Sequence, residues 1–493
     1  MADAALSDLD VPALLARLGA HPRRITSDSR RVEPGVAFAA YPGHVADGRS
    51  FVPDAIARGA CAVFWDTRNF QWDPSWKAPH VGIEHLQARL GSVADFIYGS
   101  PSRRMWMAGV TGTNGKTSCA HWIAQALDMC GRRAAILGTL GNGLVGALGP
   151  ASHTTPDVTV FHELLAQFHA AGATAVAMEV SSHGLDQGRV NGATFDVALF
   201  TNLTRDHLDY HKTMAAYGSA KARLFAWPGL RTAVINADDA FGQSLVDAAR
   251  KRGQRTLTSG FGAADIAATP MTLDASGMVL DVATPWGHAT LRSPVMGAFN
   301  AQNLLGVLGV LLASDVTLAD AVAALAKIAP PPGRMQRIGG EGKPLVVVDY
   351  AHTPDALSKV LAALRPAVPQ GNELVCVFGC GGDRDPGKRP QMGAIAAGHA
   401  DRIVVTSDNP RSEDPAEIAN AIVRAIRDAG HRRWAIEIDR RAAIAQAIAS
   451  AKAGDIVLVA GKGHETYQER NGARTPFDDA REAHAALAAW SGA

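Results

Sequence analysis

Ten residues, Gly109 to Ser118 (GVTGTNGKTS), constrain the fold more than any other stretch of this chain. Before them, Met105 to Val110 (MWMAGV) is an apolar run of strand length. After them, Ala120, Ile123, Leu127 and Cys130 recur at helical spacing until Gly131. The pattern predicts a strand, a glycine loop and a helix. Such a loop turns backbone N–H groups and a helix N-terminus toward bound phosphate; Lys116 can reach the outer phosphates, and the Thr117 hydroxyl suits Mg²⁺. The spacing departs from the strict phosphate-loop rule, because Val110 stands five before Gly115 and glycines fall at 109 and 112 instead. A plain glycine turn is the alternative, and Gly-Lys-Thr placed between a strand and a helix argues against it.

At 493 residues the chain exceeds what one core usually holds, so two to four domains are expected. Lys plus Arg number 48 and Asp plus Glu 47, a net charge of +1 that gives no reason to expect nucleic acid or an anionic membrane as general partner. The five cysteines are odd in number and lack metal-ligand spacing, which suits a reducing cytoplasm. The start MADAALSDLD has no basic, apolar leader, and no run of 18 apolar residues occurs, so neither secretion nor membrane insertion is expected. HExxH, paired CxxC and GxSxG patterns are all missing.

Residues 1–98 mix short apolar runs with turns and read as a small α/β module. Its turn-rich segments, Ser27 to Arg30 and Gly43 to Gly48, are either surface turns or a ligand cradle. Residues 99–331 alternate apolar strands with helical stretches, the grammar of a largely parallel sheet covered on both faces. The strand Ala173 to Val180 delivers Glu179 at its carboxyl end, where open α/β sheets hold ligands. A carboxylate in an apolar run needs an ion-pair partner or a metal. After the run VALFTN, Asp206, His207, Asp209 and His211 supply hard oxygen and imidazole groups beside the phosphate loop, suggesting Mg²⁺. Lys221, on the helical stretch YGSAKARLF, reads from the residues alone as a solvated lysine. Asn300 and Asn303 open a later apolar helix and either cap it or read a base.

Pro330-Pro331-Pro332-Gly333-Arg334 marks a domain boundary. Residues 332–493 repeat the α/β pattern, with Thr353 and Asp414 expected as helix N-caps. Three strands there end in polar loops. In a doubly wound sheet those ends share one edge, so Arg384, Asp408 to Arg411 and Gly461 to Glu465 are expected to line one pocket.

Taken together, TGTNGKT (Thr111 to Thr117), HTTPD (His153 to Asp157), MEVSSHGL (Met178 to Leu185), NLTRDHLDYH (Asn202 to His211), FNAQN (Phe299 to Asn303), PGRM (Pro332 to Met335), DYAHTPD (Asp349 to Asp355), GCGGDRD (Gly379 to Asp385), DNPR (Asp408 to Arg411) and GKGHE (Gly461 to Glu465) resemble the Mur ligases over essentially the whole chain. That family forms amide bonds with ATP to build the peptidoglycan stem peptide in the bacterial cytoplasm. The resemblance implies three domains: a small N-terminal α/β domain (1–98) for the UDP-bearing substrate, a central P-loop parallel-sheet ATP-binding domain (99–331), and a C-terminal Rossmann-like α/β domain (332–493) for the amino acid. It also implies a monomer working on small molecules alone: ATP, a UDP-N-acetylmuramoyl dipeptide and meso-diaminopimelate.

Residue by residue, the resemblance places ATP against Gly112, Thr113, Asn114, Gly115, Lys116, Thr117 and Ser118, and against Asn300, Asn303, Arg334, Asp349 and His352. Two Mg²⁺ ions are implied, held by Thr117, Glu179, His207 and a Lys221 carbamylated by CO₂, which turns a cation into a carboxylate-like ligand. Lys116, Glu179, His207, Lys221 and Arg334 carry catalysis. Ser27, Ser29 and His44, Val45 and Ala46 meet the uridine diphosphate end, and Thr154, Thr155, Ser181, Gln187 and Arg189 the muramoyl peptide. Arg384, Asp408, Asn409, Pro410, Arg411, Gly461 and Glu465 take the amino acid. Diaminopimelate differs from lysine by a second carboxylate, so its far end asks for both signs of charge. Arg384 and Arg411 can fork onto the carboxylate, and Glu465, with Asp408 or backbone Gly461, can receive the ammonium. A DNPR stretch with arginine last resembles the diaminopimelate-adding members. Within the family, addition of lysine is the alternative, followed by the related folylpolyglutamate synthetases; a nucleotide-binding scaffold is the non-enzymatic one.

Overall fold

A computed structural model of the chain describes residues 9–43, 46–274 and 277–492, so His44 and Val45 lie outside the described residues. The described residues form two compact units, Met1–Ala267 with Leu305–Ala324, and Ala268–Leu304 with Leu325–Ala493.

The first unit holds two sheets. Arg24–Thr26, Val36–Ala40, Ala62–Asp66 and His80–Ile83 pair in parallel in that order. Val36 to Ala40 are all buried, as expected of an apolar run covered on both faces. The larger sheet runs Arg255–Gly260, Thr232–Asn236, Val197–Phe200, Trp106–Thr111, Ala175–Glu179 and Ala134–Gly138, all parallel, and is extended by the antiparallel Gly141–Leu144 and Ala147–Gly149. Chain order reverses on either side of Trp106–Thr111, so the loop leaving that strand opens into the crevice of a topological switch point. The helix that follows, Lys116–Met129, buries Trp122, Ile123 and Leu127 and stops at Cys130. Each such side chain withdrawn from water contributes about 1.5–3 kcal/mol.

In the second unit the sheet runs Gln336–Gly339, Leu345–Asp349, Ile456–Ala460, Leu374–Phe378, Arg402–Val405 and Trp434–Ile436. Gln336–Gly339 is antiparallel and the rest are parallel. The last strand in sequence of the parallel set, Ile456–Ala460, inserts between the first two, which makes a second switch point. The expected caps form: Thr353 Oγ1 accepts from Ala356 N, and Asp414 Oδ1 accepts from Ala416 N, each ahead of a proline that starts the helix. The Asp414-capped helix Pro415–Asp428 buries Ile418, Ile422, Val423 and Ile426 in one apolar core with Met392 and Ala396 of Lys388–His399. Among the described residues no helix is long and apolar enough to cross a membrane.

Candidate active site

The phosphate loop folds as its glycines require. Gly112 has φ +151°, and a Cβ there would stand 1.9 Å from Thr201 Oγ1. Gly115, at φ +85°, turns the chain into the helix at Lys116. Strand Val197–Phe200 supplies the loop's brace: Asn202 O and Oδ1 accept from Thr113 N (2.8 Å) and Asn114 N (3.0 Å). The departure from the strict spacing is therefore a matter of close approach to the neighbouring strand rather than a failed loop.

Glu179 ends the strand on the other side. It is 1% exposed, and its carboxylate accepts from Thr117 Oγ1 (2.9 Å), Thr139 N (2.7 Å) and Thr139 Oγ1 (3.3 Å). Among the described residues it has no basic partner, so of the two readings of its sequence position the ion pair is not the one that forms. A hydroxyl and a carboxylate bonded to each other at the mouth of a phosphate loop are hard oxygen donors of the kind Mg²⁺ takes alongside water and phosphate.

Lys221 overturns its reading as a solvated lysine. It is 1% exposed; Nζ donates to Gly112 O at 2.7 Å and stands 4.5 Å from the Tyr217 ring centre. Burial first, and then the nearby Lys116 charge, push its pKa down to about 6. Lys116 Nζ donates to the same Gly112 carbonyl (3.0 Å) and to Thr113 O (2.8 Å). Two lysines thus converge on one loop carbonyl. His207, with its side chain 44% exposed, packs edge-on to His183 at 4.9 Å; partial burial, with Lys116 and Lys221 adding to it, depresses its pKa. Among the described residues no three His, Cys, Asp or Glu side chains form a metal cage, and the Thr117–Glu179 hydrogen bond brings two hard oxygen donors together.

The residues expected at the muramoyl peptide form one connected network. Thr155 Oγ1 donates to Glu179 O and accepts from Ser181 N; Arg189 donates to Thr155 O (2.8 Å) and, from Nε and Nη2, to Gln187 Oε1 (3.0 and 2.7 Å); Thr154 meets Thr139 at 2.9 Å. Ser29 is buried, Ala46 is exposed, and Ser27 Oγ donates to Asp157 Oδ1 at 3.1 Å. Asp157 also accepts from Tyr41 (3.3 Å) and Thr159 (2.8 Å), tying the small N-terminal sheet to the first turn of helix Val158–Ala170. Burial, with Asp157 adding to it, pushes the Tyr41 pKa up.

In the second unit, Asn300 and Asn303 are buried near the start of helix Ala298–Ala313, but the capping alternative does not hold. Asn300 Nδ2 donates backward to Met296 O (2.8 Å), and Asn303 Nδ2 to Asn300 Oδ1 (3.1 Å). Arg334 lies 4.8 Å over the Tyr350 ring, Asp349 accepts from Met335 N at 2.8 Å, and His352 Nδ1 donates to Tyr350 O at 2.8 Å. Burial raises the Asp349 pKa against the pull of Arg334, and burial lowers that of His352.

The shared edge expected in this unit is present, because strands Ile456–Ala460, Leu374–Phe378 and Arg402–Val405 are contiguous. Arg384 and Arg411 both flank Gly381, and Arg411, at φ +50°, donates from Nη1 to Gly382 O (2.7 Å). Across the edge, Asp408 accepts from Asn409 N (2.7 Å), while Asn409 Nδ2 donates to Glu465 Oε2 (2.8 Å). Below them the fully buried Arg440 makes a bidentate pair with Asp479 (2.7 Å twice) and donates to Ser407 O and Ala460 O, the residues just before Asp408 and Gly461. Sequence reasoning assigned neither Arg440 nor Asp479 a role; 39 positions apart, they carry no local signal.

Three family models match the chain in succession: the Mur ligase family catalytic domain at residues 21–98, the Mur ligase middle domain at 110–311, and the Mur ligase glutamate ligase domain at 333–463. The chain is 53% identical over 487 residues to UDP-N-acetylmuramoyl-L-alanyl-D-glutamate–2,6-diaminopimelate ligase of Chromobacterium violaceum, covering 99% of this chain and 98% of that one. To the protein of the same name from Neisseria meningitidis serogroup B it is 50% identical, with 96% of each covered. A solved structure of a ligase of that name superposes with a TM-score of 0.74 at 38% identity, over 95% of both chains. With its parallel central sheet, its C-terminal α/β domain and these matches along its length, the chain belongs to the Mur ligase family.

Proposed function

We propose that this chain joins 2,6-diaminopimelate to UDP-N-acetylmuramoyl-L-alanyl-D-glutamate at the expense of ATP, a step of peptidoglycan precursor synthesis in the cytoplasm. The γ-carboxylate of the D-glutamate attacks the γ-phosphorus of ATP, giving an acyl phosphate and ADP. The deprotonated amine of diaminopimelate then attacks the acyl carbon, forming the amide and expelling phosphate. Positioning and charge neutralisation do most of the work in such a transfer. The loop N–H groups and Lys116 bind the phosphates; in the second unit Arg334 supplies a positive charge for ATP, and Asn300, Asn303, Asp349 and His352 supply groups for adenosine. Ser27, Ser29, Thr154, Thr155, Ser181, Gln187 and Arg189 fix the acceptor so that its carboxylate faces the γ-phosphate.

Thr117 and Glu179 suit one Mg²⁺; His207 and Lys221, the latter as a carbamate, serve a second. The metal would supply neutralisation of the phosphate oxygens. Carbamylation needs Lys221 unprotonated: its lone pair attacks CO₂, a C–N bond forms, and one proton leaves to solvent. A buried amine with pKa near 6 meets that requirement at neutral pH. We read the chain as three domains, 1–98, 99–331 and 332–493, a reading supported by the succession of three family models along it.

The choice of amino acid rests on one observation: the loops at a single sheet edge carry Arg384 and Arg411 together with Asp408 and Glu465. A site built around such partners can reject an analogue lacking the matching group by about 10⁴ or more. ATP-dependent phosphate release, measured with diaminopimelate, lysine and glutamate against the muramoyl dipeptide and against a folate acceptor, tests this. Turnover is expected with diaminopimelate and the muramoyl dipeptide only; equal turnover with lysine would refute the amino-acid assignment.

A further inference from the structure

Lys462 lies between Gly461 and Gly463, just past strand Ile456–Ala460, and its side chain is wholly buried. Nζ forms an ion pair with Glu465 Oε2 at 2.9 Å and donates to Asn409 Oδ1 at 3.1 Å; Asn409 Nδ2 closes the triangle on the same Glu465 oxygen at 2.8 Å. The amide is held further by Glu469 N, which donates to Asn409 Oδ1 at 2.9 Å. Lys462 therefore reaches no solvent, and sets its ammonium against Glu465 behind the sheet edge that carries Asp408. Asp408, 8% exposed, has no cation paired with it among the described residues, and neither Arg384 nor Arg411 is paired with a carboxylate among them.

We propose that Lys462 is a specificity-determining residue, whose buried charge makes the pocket accept an end bearing both an ammonium and a carboxylate over an end bearing an ammonium alone. The inference rests on the amino-acid site of the proposed function. Its logic is differential. A buried ion pair gives little net stability, and apolar replacements of such pairs are often neutral or better, so stability alone does not explain a lysine here. Its potential, in a poorly screened interior, extends over several ångströms. On the far end of diaminopimelate that potential acts on two opposite charges and largely cancels. On lysine it acts on one ammonium, cancelling the attraction that an unpaired Glu465 would exert on it. Because Lys462 already neutralises Glu465, Asp408 is left as the carboxylate for the incoming ammonium.

The test is the ratio of kcat/KM for diaminopimelate to kcat/KM for lysine, read by phosphate release in full-length protein. In Lys462→Met the ratio is expected to fall by about tenfold or more, from one unit charge removed at several ångströms, while Lys462→Arg keeps it within about threefold. A Lys462 that only braces Glu465 would lower both kcat/KM values together and leave the ratio unchanged; that result overturns the inference. Should Lys462→Met fail to fold, Glu465→Gln is compared with the double variant Lys462→Met, Glu465→Gln. A lower ratio in the double variant supports the inference and equal ratios overturn it. A wild-type enzyme idle with diaminopimelate refutes the parent reading instead, which keeps the two failures apart.

Discussion

In buffer stripped of carbon dioxide, replacing Lys221 by methionine is expected to change the pH dependence of stability, not merely its level. The folded pKa of Lys221 lies near 6, against 10.5 for a free lysine, so between those values the unfolded chain binds a proton that the folded chain does not. Stability therefore rises with pH across that window and the gain is complete above it. The slope contributed by one such group is about 1.4 kcal/mol per pH unit. From pH 7 to pH 9 the wild type should gain about 2.7 kcal/mol relative to Lys221→Met, a side chain of similar length that fills the same buried volume without titrating. Urea unfolding of both proteins at several pH values, followed by circular dichroism, measures the difference, in which titrations common to both cancel. Parallel curves, offset by a constant, would mean that Lys221 is charged in the fold. The premise for its carbamylation would go with them.

Gly112→Ala should lose ATP binding, measured by calorimetry, while its far-UV circular dichroism stays native, because the added methyl meets Thr201 Oγ1 and the φ of +151° suits glycine alone. Arg411→Ala should raise the KM for diaminopimelate by about 30- to 100-fold, the loss of a charge-assisted pair, and leave that for ATP nearly unchanged; equal effects would sink the assignment. Arg440→Met should cost about 3–5 kcal/mol in urea unfolding by stranding the buried Asp479 carboxylate, and Arg440→Met combined with Asp479→Leu should recover most of it.

The strands were legible because each is a short apolar run between turn residues, and a parallel sheet covered on both faces buries such a run whole: Leu345 to Asp349, Leu374 to Phe378 and Ile456 to Ala460 are buried throughout. That three polar loops share one sheet edge was legible for the same reason, since loops that follow such strands must meet at one end of the sheet. Roles set by contacts across long stretches of chain were not. Asn300 sits where a cap could stand, yet the helix begins at Ala298 and the amide turns back to Met296. Asp157 looks like one more helix cap until Ser27 and Tyr41, more than a hundred residues earlier, are found on the same carboxylate.

Two lysines show most plainly what a sequence leaves open. Lys221 and Lys462 are both all but inaccessible, which neither lysine's own chemistry announces. Lys462 has a carboxylate at 2.9 Å and an amide oxygen at 3.1 Å, partners that hold an ammonium in place. Lys221 has one backbone carbonyl, an aromatic face and the repulsion of Lys116, which together do not repay the loss of water, so the proton leaves. One residue type at equal depth is thus held in an ion pair at the sheet edge of the second unit and, among the described residues, left without one beside the phosphate loop. What separates them is the closeness of a carboxylate: Glu465, three residues along the chain, meets Lys462 at 2.9 Å, whereas Asp206 acts on Lys221 only through space and forms no ion pair with it.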